Sequence, residues 1–269
     1  MKNYICQTCG TQYAKSERPP SACKICEDDR QYVGWDGQQW TTLEDMWKAA
    51  YRNHIREIEP DLIGIETSPV FGIGQRSMLI KTPNGNVLWD PISYLDSKTI
   101  EAIHRVGGIK AISASHPHFY ASMVEWSLAF DHAPIVLPEA DQRWIMRPCD
   151  SIRFFKDRSE ILPQIEVVRC GGHFPGSSVL AWQSGANGKG ALLAGDTIMV
   201  AMDRKSVSFM YSYPNLIPLS AQKVRTIIGT LNRIRFDRIY SAWKERMIPD
   251  NAKNAVGTSA TKYINAISD

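Results

Sequence analysis

Three stretches carry side chains that bind metal ions or move protons. The first is Ser115-His116-Pro117-His118-Phe119-Tyr120. It follows an apolar, β-branched run at 108–112 that reads as a buried strand. Two histidines two residues apart on extended backbone point to the same side. Two imidazoles side by side at a strand end are half of a metal site. The second stretch, Cys170-Gly171-Gly172-His173-Phe174-Pro175-Gly176, puts a histidine after paired glycines, on a tight turn of close backbone approach. The third, Leu192-Leu193-Ala194-Gly195-Asp196-Thr197, ends an apolar strand in Gly-Asp and leaves a carboxylate just off the strand terminus. Taken singly, each has a plainer reading: a histidine bonded within its own loop, an aspartate turning the chain.

A fourth set is made of thiols. Cys6-Gln-Thr-Cys9-Gly10 and Cys23-Lys-Ile-Cys26 are two Cys-x-x-Cys knuckles separated by thirteen residues (23 − 9 − 1). Four thiolates in two knuckles close a tetrahedral shell with no open position, the structural kind of zinc site. So small a piece has little core of its own, and metal binding would supply much of its folding energy. A rubredoxin-like iron centre is the alternative. Gly10 after the first knuckle suits it, whereas Glu27 follows the second. Cys149 and Cys170 lie far along the chain and are not expected to join the site.

The elements that must position these groups follow from periodicity. Residues 1–40 read as a cysteine module. Residues 41–60 read as a linking helix, with Thr41 and Glu44 as a capping box and Leu43, Met46, Trp47, Ala50, Tyr51, His54, Ile55 and Ile58 on one stripe, ended by Pro60. On that stripe His54 is a packing residue. From 61 to 269 the pattern is strands, then strands alternating with helices. Strands are expected at 62–65, 77–82 and 86–89, the last two joined by an Asn84-Gly85 hairpin turn with Asp90 closing the second. Further strands are expected at 109–112, 135–137, 152–155, 165–169, 179–182, 191–194, 207–211 and 238–240. Helices are expected at 99–106, which holds His104, at 120–130, with His132 just past it, and at 221–234 and 251–267. The fold class is α/β with helices outside.

The order His-x-His, Gly-His, Gly-Asp resembles that of the metallo-β-lactamase superfamily, and the resemblance covers about residues 61–269. It implies an αββα sandwich, with the N-terminal four cysteines looking like a zinc-ribbon-like extension. His116 and His118 match the first two histidines of the family's His-x-His-x-Asp-His motif, but Tyr120 and Ala121 stand where its Asp and second-site His belong. His173 matches the third histidine, and Asp196 the carboxylate that bridges two metals where two are present. The late histidine of the family is missing: Tyr240-Ser241-Ala242-Trp243 holds none, and no histidine follows His173. The resemblance therefore implies one metal, expected as zinc, at His116, His118 and His173 with Asp196 or water as the fourth ligand, beside the structural zinc that the two knuckles give at Cys6, Cys9, Cys23 and Cys26. Iron or manganese also suit the histidine-rich set. Asp196 would assist attack by metal-activated water, and Tyr120 would donate a hydrogen bond to a developing oxyanion. Packing at a helix start is an equal reading of Tyr120.

The expected function is hydrolysis of a small ester, thioester, lactone or amide. The loss of second-site ligands leaves a non-catalytic ligand- or partner-binding protein as the alternative. Nucleic-acid processing is a third reading. Against it stand a net charge of only +3 (31 basic, 28 acidic residues) and the missing second metal. A small-molecule substrate is expected, with no nucleic acid and no membrane partner, and the oligomeric state is left open. At 269 residues and 43% hydrophobic content the chain is long and apolar enough for a sizeable core. No run is long enough to span a bilayer and the start lacks a signal-peptide apolar stretch, so a cytoplasmic location, with cysteines kept reduced, is expected.

Overall fold

The structure, a computed structural model, describes residues 1–268. The chain forms two compact units. One is Met1–Leu137 with Gln142–Phe154; the other is Pro138–Asp141 with the chain from Phe155 onward.

The first unit begins with β1 (Ile5–Cys6), which pairs antiparallel with β2 (Trp40–Thr41) and so closes the cysteine loop at its base. A short helix, α1 (Leu43–Lys48), follows. Its cap is Thr42, whose hydroxyl accepts from Asp45 N at 3.2 Å and donates to the Asp45 carboxylate at 2.8 Å, one residue on from the expected box. The expected helix over 41–60 then fails. Ala49 is already extended, with ψ 177°, and Arg52–Glu59 is a strand, β3. The reason is non-local. β3 pairs along its whole length with β4 (Leu62–Ser68), from Arg52↔Ser68 to Glu59↔Leu62, and this ladder outweighs an apolar spacing that matched a helix by coincidence. Trp47, placed on the buried stripe, is 54% exposed. His54 faces Glu66 across the β3–β4 ladder instead of packing on a helix.

β5 (Ser77–Ile80) and β6 (Val87–Trp89) continue the meander through the expected Asn84-Gly85 turn, where Gly85 has φ +118°. Then α2 (Ser97–Arg105), capped by Asp96 Oδ1 accepting from Thr99 N at 2.8 Å, crosses over to β7 (Ala111–Ser113). β6–β7 and β7–β8 are parallel pairs; helix α3 (Met123–Ala129) precedes β8 (Ile135–Pro138) and β9 (Ile152–Phe155) closes the sheet order β3-β4-β5-β6-β7-β8-β9. Every residue of β5, β6 and β7 is buried, which is why these strands read as apolar runs without alternation. A small core of Ile5, Leu43, Met46 and Tyr94, with Tyr51 and Phe71 against it, ties the cysteine stretch into this unit.

In the second unit β10 (Arg158–Leu162), β11 (Ile165–Arg169), β12 (Ser178–Trp182) and β13 (Ala191–Leu193) run antiparallel. The short pairs β14 (Met199–Val200) with β15 (Val207–Ser208), and β16 (Met210–Ser212) with β17 (Ile217–Pro218), follow; the single strand expected at 207–211 is broken at Phe209. Helix α4 (Ala221–Leu231) leads to β18 (Arg238–Tyr240), which joins β13 in parallel, then β19 (Met247–Ile248) and α5 (Ala252–Ala266). Val224, Ile227 and Leu231 of α4 and Val256 and Ala260 of α5 share one buried cluster with Val179 of β12. Burying each large side chain of this kind contributes about 1.5–3 kcal/mol. No helix among the described residues is long and apolar enough to cross a membrane.

Candidate metal centres

Cys6, Cys9, Cys23 and Cys26 are all buried and converge. The Sγ atoms of Cys6 and Cys26 are 3.5 Å apart and those of Cys9 and Cys23 3.6 Å. A tetrahedron with metal–sulfur bonds of about 2.3 Å has edges of about 3.8 Å, so these thiols fit one tetrahedral ion. Outer groups steady them. Gln38 Nε2 donates to Cys6 Sγ at 3.2 Å, Tyr13 OH donates to Cys23 Sγ at 3.4 Å, and Thr11 Oγ1 lies 3.3 Å from Cys9 Sγ. Donors around sulfur favour thiolate, the ligand form. Hydrogen bonding from Cys23 holds Cys6 below the ordinary thiol range, while burial pushes Cys9 above it. All six cysteines are free of disulfides; Cys149 and Cys170 stand outside the group.

The second group is built from turns. His116 has extended backbone (φ −170°, ψ 170°), but His118 lies in the 3-10 turn Pro117–Phe119, so the pair is not on a strand as its spacing predicts. The two rings nevertheless sit with centroids 5.0 Å apart. His116 Nδ1 is 2.9 Å from Ser115 Oγ, and Ser115 N donates to Asp90 Oδ1 at 2.7 Å. Asp90 is fully buried, which pushes its carboxyl up to about 7, with hydrogen bonds from Ser115 acting against that rise. With His116 donating from Nδ1 to Ser115, Nε2 keeps its lone pair for a metal. The expectation over Asp90 stopped at its place on a strand end; its bond to Ser115 is a tertiary contact that no spacing displays.

His173 follows Gly171 (φ +69°) and Gly172 (φ +91°). A Cβ on Gly172 would stand 2.8 Å from Ile227 Cδ1, so the turn needs glycine for both conformation and space. His173 Nδ1 is 3.2 Å from the Met210 carbonyl, which only accepts, so Nδ1 carries the proton and Nε2 presents its lone pair. That atom is 4.0 Å from Asp196 Oδ2. One ion with bonds of about 2.0–2.2 Å can touch both. The Asp196 carbonyl accepts from Tyr213 OH at 3.2 Å.

His116, His118, His173 and Asp196 are buried, and each offers a ligand atom within 4.8 Å of the others. Among the described residues, His54, His104 and His132 join neither group. Tyr120 is buried at the end of the 3-10 turn, and Ala121 after it has φ +40°. At the end of β18, Ser241 occupies the stretch where the late histidine was missed; its hydroxyl accepts from Val200 N at 2.7 Å and donates to the Ile198 carbonyl at 3.4 Å.

A Bacillus subtilis protein named "Uncharacterized protein YmaE" is 49% identical over 269 residues, spanning 99% of this chain and 97% of the relative. The chain belongs to the YmaE family. No family model matches it. Among solved structures, VMB-1 superposes with a TM-score of 0.60 at 12% identity, over 80% of this chain and 98% of VMB-1. The DIM-1 metallo-β-lactamase gives 0.58 at 11%, over 80% and 98%. A Cronobacter sakazakii metallo-β-lactamase described by a HARLDQ motif gives 0.53 at 15%, over 80% and 92%. What is shared at these identities is the fold. This YmaE-family chain has the metallo-β-lactamase fold and two donor sets, one of four cysteines and one of three histidines and an aspartate, each able to hold a metal ion.

Proposed function

We propose that this YmaE-family chain is a metal-dependent hydrolase. It holds one catalytic zinc at His116, His118, His173 and Asp196 and one structural zinc at the four cysteines, and it cleaves a small ester, thioester, lactone or amide. The observation that carries this is the buried convergence of three imidazoles and one carboxylate within 4.8 Å. When bound there, zinc supplies Lewis acidity and lowers the pKa of a water from about 15.7 to about 7. The chain supplies the rest. Ser115 and the Met210 carbonyl fix the Nδ1 sides of His116 and His173, which leaves both Nε2 atoms as ligands. Asp196 accepts the proton of the attacking water, and Tyr120 donates to the charge that develops on the substrate oxygen. One ion is expected because Tyr120, Ala121 and Ser241 stand where further ligands would be needed.

The test is metal analysis of the whole protein with a panel of esters, thioesters, lactones and amides, β-lactams included. Turnover that disappears in His116→Ala together with one metal equivalent supports the proposal. Metal at the histidines with no turnover across the panel would favour a binding protein, the reading that the replacements at Tyr120 and Ala121 raise.

A further inference from the structure

The turn that carries His116 and His118 closes through Phe119 N donating to the His116 carbonyl at 3.0 Å, and Ala121 and Ser122 join it to α3. Ser122, at the N-cap of α3, makes no capping bond, and its buried hydroxyl has no partner. Ala121 sits at φ +40°, in the left-handed region that a residue with a side chain occupies only when its surroundings impose it. A hydrogen bond to this residue comes from the cysteine stretch. Gln12 N donates to the Ala121 carbonyl at 3.1 Å, three residues beyond His118. Gln12 Nε2 donates to Glu125 Oε1 at 3.1 Å, and Arg147 donates to both Gln12 Oε1 and Glu125 Oε1. Gln12 is only 3% exposed, while the Glu125 and Arg147 side chains that it meets are partly open to solvent.

Gln12 is in turn placed by the cysteines. Cys6 N donates to the Thr11 carbonyl at 3.0 Å, Thr11 Oγ1 lies against Cys9 Sγ, and Gln12 bridges to Ile5 beside Cys6. On the other side of the first knuckle, the Gly10 carbonyl accepts from Ser93 Oγ at 2.8 Å; a Cβ on Gly10 would stand 2.4 Å from that hydroxyl. The knuckle is thus tied to Ser93 within the unit that also carries the histidine turn.

We propose that the cysteine module is the support of the histidine turn, with Gln12 as the positioning residue, so that metal at the four cysteines sets how firmly His116 and His118 hold theirs. This rests on the metal reading above. Outer residues that orient metal ligands commonly change affinity by about 10–100-fold. Gln12 does so through the backbone of Ala121, without touching a ligand.

The experiment uses the full chain loaded with cobalt(II), wild type and Gln12→Ala. Thiolate-to-cobalt absorption reports the cysteine centre and weaker ligand-field bands report the histidine centre. Hydrogen exchange of residues 116–125 is followed in parallel. The expected result is unchanged thiolate absorption, exchange at 116–125 faster by about tenfold or more, and histidine-site cobalt lost to about tenfold less chelator. Unchanged exchange would overturn the support. Faster exchange with unchanged chelator sensitivity would overturn the positioning role and leave Gln12 a packing residue. If Gln12→Ala does not fold, Glu125→Gln weakens the same junction and should shift exchange and chelator sensitivity in the same direction. Wild-type protein that takes cobalt at the cysteines alone overturns the function proposed above, and that is read before any variant is compared.

Discussion

Asp196 is 5% exposed, with one carboxylate oxygen 4.0 Å from His173 Nε2 and its carbonyl held by Tyr213. Burial pushes the Tyr213 phenol well above its ordinary range, so that donation persists into alkaline solution. Asp196→Asn keeps this frame and removes the charge. Turnover on the true substrate is expected to fall at least about a hundredfold while the melting temperature holds, and steady-state kinetics beside thermal melts check both. Cys170 is a different kind of buried group. Burial alone pushes its thiol up to about 12. The unfolded thiol ionises from about 8.5, so between these values the unfolded state binds fewer protons than the native one and stability falls as pH rises. Cys170→Ala should flatten that alkaline loss, measured as melting temperature from pH 8 upward against wild type. In native protein near pH 8, mass spectrometry should find Cys170 unalkylated.

At the scale of elements, the Gly171-Gly172 turn shows how packing reaches a ligand. Gly172 lies under Ile227 of α4 and beside Leu219. Gly172→Ala combines a positive φ with a 2.8 Å contact, and the expected cost is about 1–3 kcal/mol. A lower denaturation midpoint with weaker metal retention at the histidines would be seen; an unchanged midpoint would mean that the turn relaxes freely. The strand ends that present chemistry were legible because apolar runs meet Gly, Asp or His there, as at β13 and β6. The stretch at 52–59 was not legible as a strand. Its apolar spacing suits a helix, and only pairing with β4 makes it β3. The helix expected from residue 120 begins instead at Met123, because Tyr120 and Ala121 close the turn that holds His118.

For the whole molecule the ligand count predicts about two metal equivalents, one per donor set, by elemental analysis of the purified chain. Stripping both should lower the melting temperature, chiefly through the cysteine set, because that stretch has a core of only a few side chains and its four thiols would lose their common partner. Restoring the ion should restore the melt. A metal-free protein with an unchanged melt would show that the thiols pack without an ion.

Residue type and short spacing determined by themselves which side chains could bind metal: two cysteine knuckles, a His-x-His, a Gly-His and a Gly-Asp are chemistry written within a few residues. Periodicity also announced most strands, since burial on both faces leaves an unbroken apolar run. Tertiary structure alone decided that the histidines and Asp196 share 4.8 Å, that 52–59 is a strand, that Ser241 ties a loop where a ligand was missed, and that Gln12 holds Ala121. Those outcomes depend on bonds between residues far apart in the chain. Local sequence fixes what a side chain can do, and non-local pairing fixes what it meets.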